Sequence, residues 1–130
     1  MISKNGLVVV ADGHGATLYR NTADKGAPVE LREQITLGPR DLRDDGPAGA
    51  AGSDSSPRDI DEATFAKQLT QRLNRMAMDG DAEEVVIIVD PTTLGEMRRS
   101  YHAMLEKAIV KEIPKTLTQA SPDEIAAALE

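Results

Sequence analysis

Gly6-Leu-Val-Val-Val-Ala11 and Glu84-Val-Val-Ile-Ile-Val89 are the two runs whose reading decides the fold. Both are continuous, apolar and rich in β-branched residues, with no polar residue at alternate positions. That is the pattern of a strand covered on both faces. Such strands belong inside a sheet that carries helices on each side, and the two are expected to lie next to each other. Working outward, Asp12-Gly13-His14-Gly15 supplies turn chemistry, and Ala16-Thr-Leu-Tyr-Arg20 then alternates between two faces. A β-hairpin follows. Residues 21–28 read as a turn, and Val29-Glu-Leu-Arg-Glu-Gln-Ile-Thr-Leu37 alternates as a third, antiparallel strand with one wet face.

The next stretch changes character. Residues 38–61 hold four Gly, three Pro, three Ser and six Asp against three Arg. Too little apolar surface is present to offset the entropy of ordering, so a mobile loop is expected. Helical spacing resumes at Asp59 or Asp61, with Phe65, Ala66, Leu69, Leu73, Met76 and Ala77 forming one stripe that ends at Asp79-Gly80. After the second buried run, Thr93 with Glu96 forms a capping-box pattern, which predicts one helix to about Glu106. Its inner face is read as Leu94, Met97, Tyr101, Met104 and Leu105. Ala108-Ile-Val-Lys-Glu-Ile113 reads as a short strand, and Ser121-Pro122-Asp123-Glu124 starts a last helix. The expected order is β-β-β-loop-α-β-α-β-α, an α/β mixed sheet of about five strands within one domain over residues 1–130.

Composition limits the function classes. The chain has 130 residues and a net charge of −7, with no Cys, no Trp and one Phe. Disulfides, thiolate zinc sites and a cysteine nucleophile are excluded. A single-stranded nucleic-acid groove lined by stacked aromatics is not expected either, nor is a DNA partner. No apolar run approaches the ~20 residues of a membrane span, and residues 1–5 contain no signal-peptide core. A cytoplasmic protein without a membrane partner is the expectation.

Candidate chemistry lies at the strand ends. Asp12 and Asp90 each directly follow a buried strand, so adjacent parallel strands would bring both carboxylates to one edge. With a third carboxylate, Glu96 or Glu124, they could hold Mg²⁺ and hydrolyse a phosphodiester. The same two residues also suit plainer work, Asp12 closing a turn and Asp90 capping a helix. His14 and His102 are the only imidazoles, and no Ser or Thr stands out as a nucleophile. His102 sits one helical turn from Arg98 in the predicted helix, a polar face suited to phosphate. Arg98, Arg99, Lys107, Lys111 and Lys115 leave residues 93–118 slightly basic, a face for RNA phosphates.

The segments VVVADGHGATLYRN, FAKQLTQRLNRMAMDG, VVIIVDPTTLGEMRRSYHAML and EIPKTLTQASPDEIAAAL resemble the bacterial host-attachment protein family, which is grouped with release-factor-like proteins. The most specific block is Pro91, Thr93, Leu94, Gly95, Glu96 and Arg98, followed by Tyr101-His102 and by Lys115, Leu117 and Thr118. The resemblance implies a ribonuclease H-like fold similar to the middle domain of the eukaryotic and archaeal peptide release factor. It also implies that residues 38–61 stand where that factor carries a Gly-Gly-Gln loop for peptidyl-tRNA ester hydrolysis. Here the stretch has neither Gln nor Gly-Gly. The leading expectation is a non-enzymatic binding module that needs no cofactor. It would meet the ribosome or a structured RNA through Thr93, Arg98, His102 and Lys115. The alternatives are a Mg²⁺-dependent phosphodiesterase using Asp12, Asp90 and Glu96, and a degenerate peptidyl-tRNA esterase.

Overall fold

The computed structural model describes residues 2–24, 26–38, 41 and 62–129. Apart from Gly38 and Asp41, the loop expected at 38–61 lies outside the described residues, as do Asp59 and Asp61.

Five strands form one sheet: β1 (Leu7–Ala11), β2 (Ala16–Asn21), β3 (Leu31–Leu37), β4 (Val85–Val89) and β5 (Ile109–Ile113). Their order is β3-β2-β1-β4-β5. β1 pairs antiparallel with β2 and parallel with β4, and β4 is parallel to β5. The two apolar runs are therefore neighbours, in register from Leu7 opposite Val85 to Ala11 opposite Val89. Every residue of both strands is buried.

The reason is two helical layers. Leu7, Val9 and Ala11, with Val85, Ile87 and Val89, pack in one cluster with residues of α1 (Glu62–Met78), α2 (Pro91–Arg98) and α3 (Ala103–Ala108). Val8, Val10, Val86 and Ile88 face the other way, against Ile125, Ala126 and Leu129 of α4 (Pro122–Leu129). A strand with helices above and below cannot show polar alternation, which is why these two read as unbroken apolar runs. α1 ends as its sequence predicts: Gly80 takes a left-handed φ of 83°, and the amide of Asp81 reaches back to the Met76 carbonyl at 2.8 Å. The start of α4 also follows its motif, since Ser121 Oγ accepts from the Glu124 amide and Glu124 Oε1 accepts from the Ser121 amide.

Three expectations need correction. The segment between β4 and β5 is two helices, not one. The chain turns at residues 99–102, where His102 accepts the Met104 amide through Nδ1 and starts α3 anew. Second, the N-cap of α2 is Asp90 rather than Thr93. The Asp90 carboxylate accepts from the Thr93 amide at 3.1 Å, and Pro91 occupies the first turn, where a missing N–H costs nothing. Because α3 starts anew at His102, Met104 leaves the inner face and is 46 % exposed. Third, β3 begins at Leu31, because the Glu30 amide bonds the Asn21 side chain at 3.1 Å.

Both sheet edges are blunted in the same way. Register skips Gln34 in β3 and Val110 in β5, leaving a bulge in each outer strand. Such bulges discourage edge-to-edge pairing with other chains. No helix among the described residues is long and apolar enough to cross a membrane.

Candidate functional site at the carboxyl edge of the sheet

Two antiparallel steps make β3 run the same way as β1, so β1, β3, β4 and β5 all end at one edge. Leu37 stands opposite Ala16, which in turn stands opposite Ala11. This edge carries the turn at 12–15, the exit of β3, the start of α2 and the turn after β5. α1 begins here too: Glu62 Oε1 lies 3.5 Å from His14 Nε2, with both side chains exposed. A Cβ at Gly13 would meet the Glu62 side chain and push that exposed carboxylate aside, so glycine there leaves room for the His14–Glu62 contact. Open α/β sheets place ligands outside the carboxyl ends of their strands.

Asp12 and Asp90 come to this edge on neighbouring strands. Each also serves the backbone. Asp12 Oδ1 accepts from the amides of His14 at 2.8 Å and Gly15 at 3.0 Å, closing the hairpin turn. Asp90 Oδ2 caps α2, while its Oδ1 is buried without a hydrogen-bond partner. The two residues considered as a third carboxylate are occupied elsewhere. Glu96 faces Arg99 at 3.8 Å, and Glu124 sits on α4 across the sheet, where the Ser121 amide and hydroxyl hold its carboxyl below the usual range. Among the described residues no group of three His, Cys, Asp or Glu stands close enough to hold a metal ion.

The four residues read as binding residues do not form one patch. Lys115 is exposed at the carboxyl edge, just past β5. Thr93 is 2 % exposed and contributes its amide to the Asp90 cap. Arg98 ends α2 and His102 follows it past the turn, so both stand at the far end of that helix, about 10 Å from its start. The basic residues are also dispersed. Glu112 turns toward α2, whereas Lys111, opposite Val86, turns toward the α4 side of the sheet.

Arg98 is engaged. Its Nε and Nη2 both donate to Glu112 Oε1, and the Tyr101 hydroxyl donates to Glu112 Oε2 at 2.7 Å. This ties the α2–α3 corner to β5. The hydrogen bond from Arg98, more than any other influence, holds the Glu112 carboxyl below its ordinary value. Tyr101 moves the other way: burial first, then the bond to Glu112, pushes its hydroxyl well above its ordinary value. The backbone of His102 is fixed as well. Its amide donates to Asn74 Oδ1 at 2.9 Å, while Asn74 Nδ2 donates to the Ser100 carbonyl at 2.9 Å. Sequence reading missed Glu112 and Asn74, since their partners lie 14 and 28 residues away across a helix break.

The Glu112 contacts have a pH consequence. A carboxyl depressed in the folded state contributes stability that is complete above its ordinary value of 4.5 and is lost as pH falls through the folded value. We expect the urea midpoint of the parent to fall as pH drops below that value. Glu112→Gln should be less stable near neutral pH and show a shallower acid limb. Identical limbs in urea titrations between pH 6 and 3 would exclude the contribution.

A model of the bacterial archaeo-eukaryotic release factor family 12 matches residues 5–129, which spans every element from β1 to α4. No curated protein matches the chain.

Proposed function

The chain belongs to bacterial archaeo-eukaryotic release factor family 12, and from that premise we propose that it is a release-factor-like binding module without hydrolytic activity, which docks on the ribosome or on a structured RNA. The observation that carries this reading is a match over the whole sheet in a chain that contains no Gly-Gly-Gln anywhere. Peptidyl-tRNA hydrolysis by a release factor depends on that tripeptide to position water. A member that keeps the framework and lacks the tripeptide retains a surface rather than a reaction.

The strand order, with β2 antiparallel inside an otherwise parallel sheet, supports a ribonuclease H-like reading of the fold. The block Pro91–Arg98 with Tyr101-His102 supports kinship with the host-attachment proteins. The contact surface in this reading is the carboxyl edge. There Lys115 reaches solvent, and Thr93 sets the start of α2 from below. Arg98 and His102 hold the α2–α3 corner in place. With Arg98 paired to Glu112 and Arg99 facing Glu96, the exposed Lys107, Lys111 and Lys115 are the cations of residues 93–118 left to approach phosphate. A role on the ribosome also places the protein in the cytoplasm.

Sedimentation tests the reading. The protein should pellet with ribosomes at low salt and leave them as salt rises, and Lys115→Glu should shift that release to lower salt. Peptidyl-tRNA should stay intact in its presence. A chain that stays in the supernatant at low salt overturns the docking, and hydrolysis above background overturns the non-enzymatic assignment.

A further inference from the structure

Between α2, α3 and β5 lies an open cavity of about 310 Å³, lined by Arg98, Tyr101, Glu106, Ile109 and Glu112. Its charges sort into a closed set and a remainder. Arg98 and Glu112 neutralise each other, and Tyr101 occupies the second oxygen of Glu112. These three side chains are matched and form one wall. Glu106, on α3, is exposed, and its carboxylate has no hydrogen bond or ion pair among the described residues. It is near enough for its charge to act on the Tyr101 hydroxyl. The cavity therefore presents one uncompensated negative charge beside an aromatic ring and the apolar flank of Ile109.

That arrangement selects among ligands. An anion would find Arg98 already paired and would be repelled by Glu106. A polyamine needs several free carboxylates, and only one is present. A metabolite would need more enclosure than this open cavity gives, since small-molecule sites bury most of their ligand's surface. A single cation on an aliphatic stem fits each feature: the stem lies along Ile109 and the head stands between Glu106 and the Tyr101 ring. We propose that this cavity receives one lysine or arginine side chain presented by a protein partner. The net charge of −7 favours basic partners at longer range. The sign is opposite to the phosphate site that Arg98 suggests in the sequence, because Arg98 is consumed by Glu112.

The proposal stands apart from the ribosomal reading, and its test uses neither ribosome nor RNA. The backbone amides of Tyr101, Ile109 and Glu112 in the isotopically labelled full chain report on the cavity. Capped pentapeptides Gly-Gly-Lys-Gly-Gly and Gly-Gly-Arg-Gly-Gly are titrated, beside the acetyl-lysine version, spermidine and inorganic phosphate. At least one basic peptide should give saturable shifts at these amides, and the acetylated peptide none. Glu106→Gln should raise the apparent Kd about fivefold. Equal shifts from the acetylated peptide, saturable shifts from phosphate, or unchanged binding by Glu106→Gln would overturn it. Spermidine saturating the site below either peptide would assign it to a free polyamine and also overturn it.

Discussion

Ile87→Asp is expected to abolish the folded state at neutral pH. Ile87 sits in the middle of β4, an interior strand, between Val9 of β1 and Glu112 of β5, and is fully buried. Its side chain belongs to the cluster that joins the sheet to α1, α2 and α3. Removing most of a buried Ile side chain costs about 2–5 kcal/mol. The carboxylate adds a desolvation penalty of several kcal/mol, with no partner in that cluster to offset it. Domains of this kind are stable by only about 5–15 kcal/mol, so the sum removes most or all of the margin. Ile87→Val, which keeps the strand and loses one methylene, should cost about 0.5–1.5 kcal/mol and serves as the control. Circular dichroism in a urea series reads both. A cooperative urea transition for Ile87→Asp with a midpoint close to that of the parent would mean that β4 is not interior, and the assignment of both sheet layers would fail with it.

What could be read in the sequence followed the hydrophobic pattern, and what could not followed long-range hydrogen bonding. The runs at 7–11 and 85–89 announced themselves because two helical layers demand apolar residues at every position. β2 could be read from alternation, and α4 from a local capping box whose partners are three residues apart. The break between α2 and α3 was hidden because Leu94, Met97, Tyr101 and Leu105 keep helical spacing straight through it. The break is made by the Asn74 side chain holding Ser100 and His102, from a helix 26 and 28 residues earlier. The same limit applied at the site. Asp12 and Asp90 could be placed at one edge from strand ends alone, and the parallel register agrees. Arg98 was read as a free cation because nothing in a linear pattern marks Glu112 as its partner.

Asn21→Ala is the second substitution with a large expected effect, and it tests that long-range layer directly. Asn21 closes β2 and is 1 % exposed. Its Nδ2 donates toward the carbonyls of Ile2 at 3.3 Å, Ser3 at 3.2 Å and Ala23 at 3.3 Å. Its Oδ1 accepts the amides of Ala23 and Glu30, each at 3.1 Å. One side chain thus fastens the N-terminal segment and the β2–β3 turn to the end of the sheet. Ile2, buried against the α4 layer, is held in place by it. Alanine would leave both amides and up to two carbonyls, those of Ile2 and Ala23, without their protein partner, since the Ser3 carbonyl keeps the Gly6 amide at 2.9 Å. Each buried group left unmet costs about 1–3 kcal/mol, and water entering the space recovers part of it. We expect a net loss of about 2–4 kcal/mol in a urea titration. Asn21→Asp should be no better, since a carboxylate keeps the two amides but turns negative oxygen toward the three carbonyls. Hydrogen exchange separates this from a general loss of packing. The Ala23 and Glu30 amides should lose protection in Asn21→Ala well beyond the loss at Val9 in the central strand. A loss under 1 kcal/mol, or an equal change at all three amides, would show that Asn21 does not organise this end of the sheet.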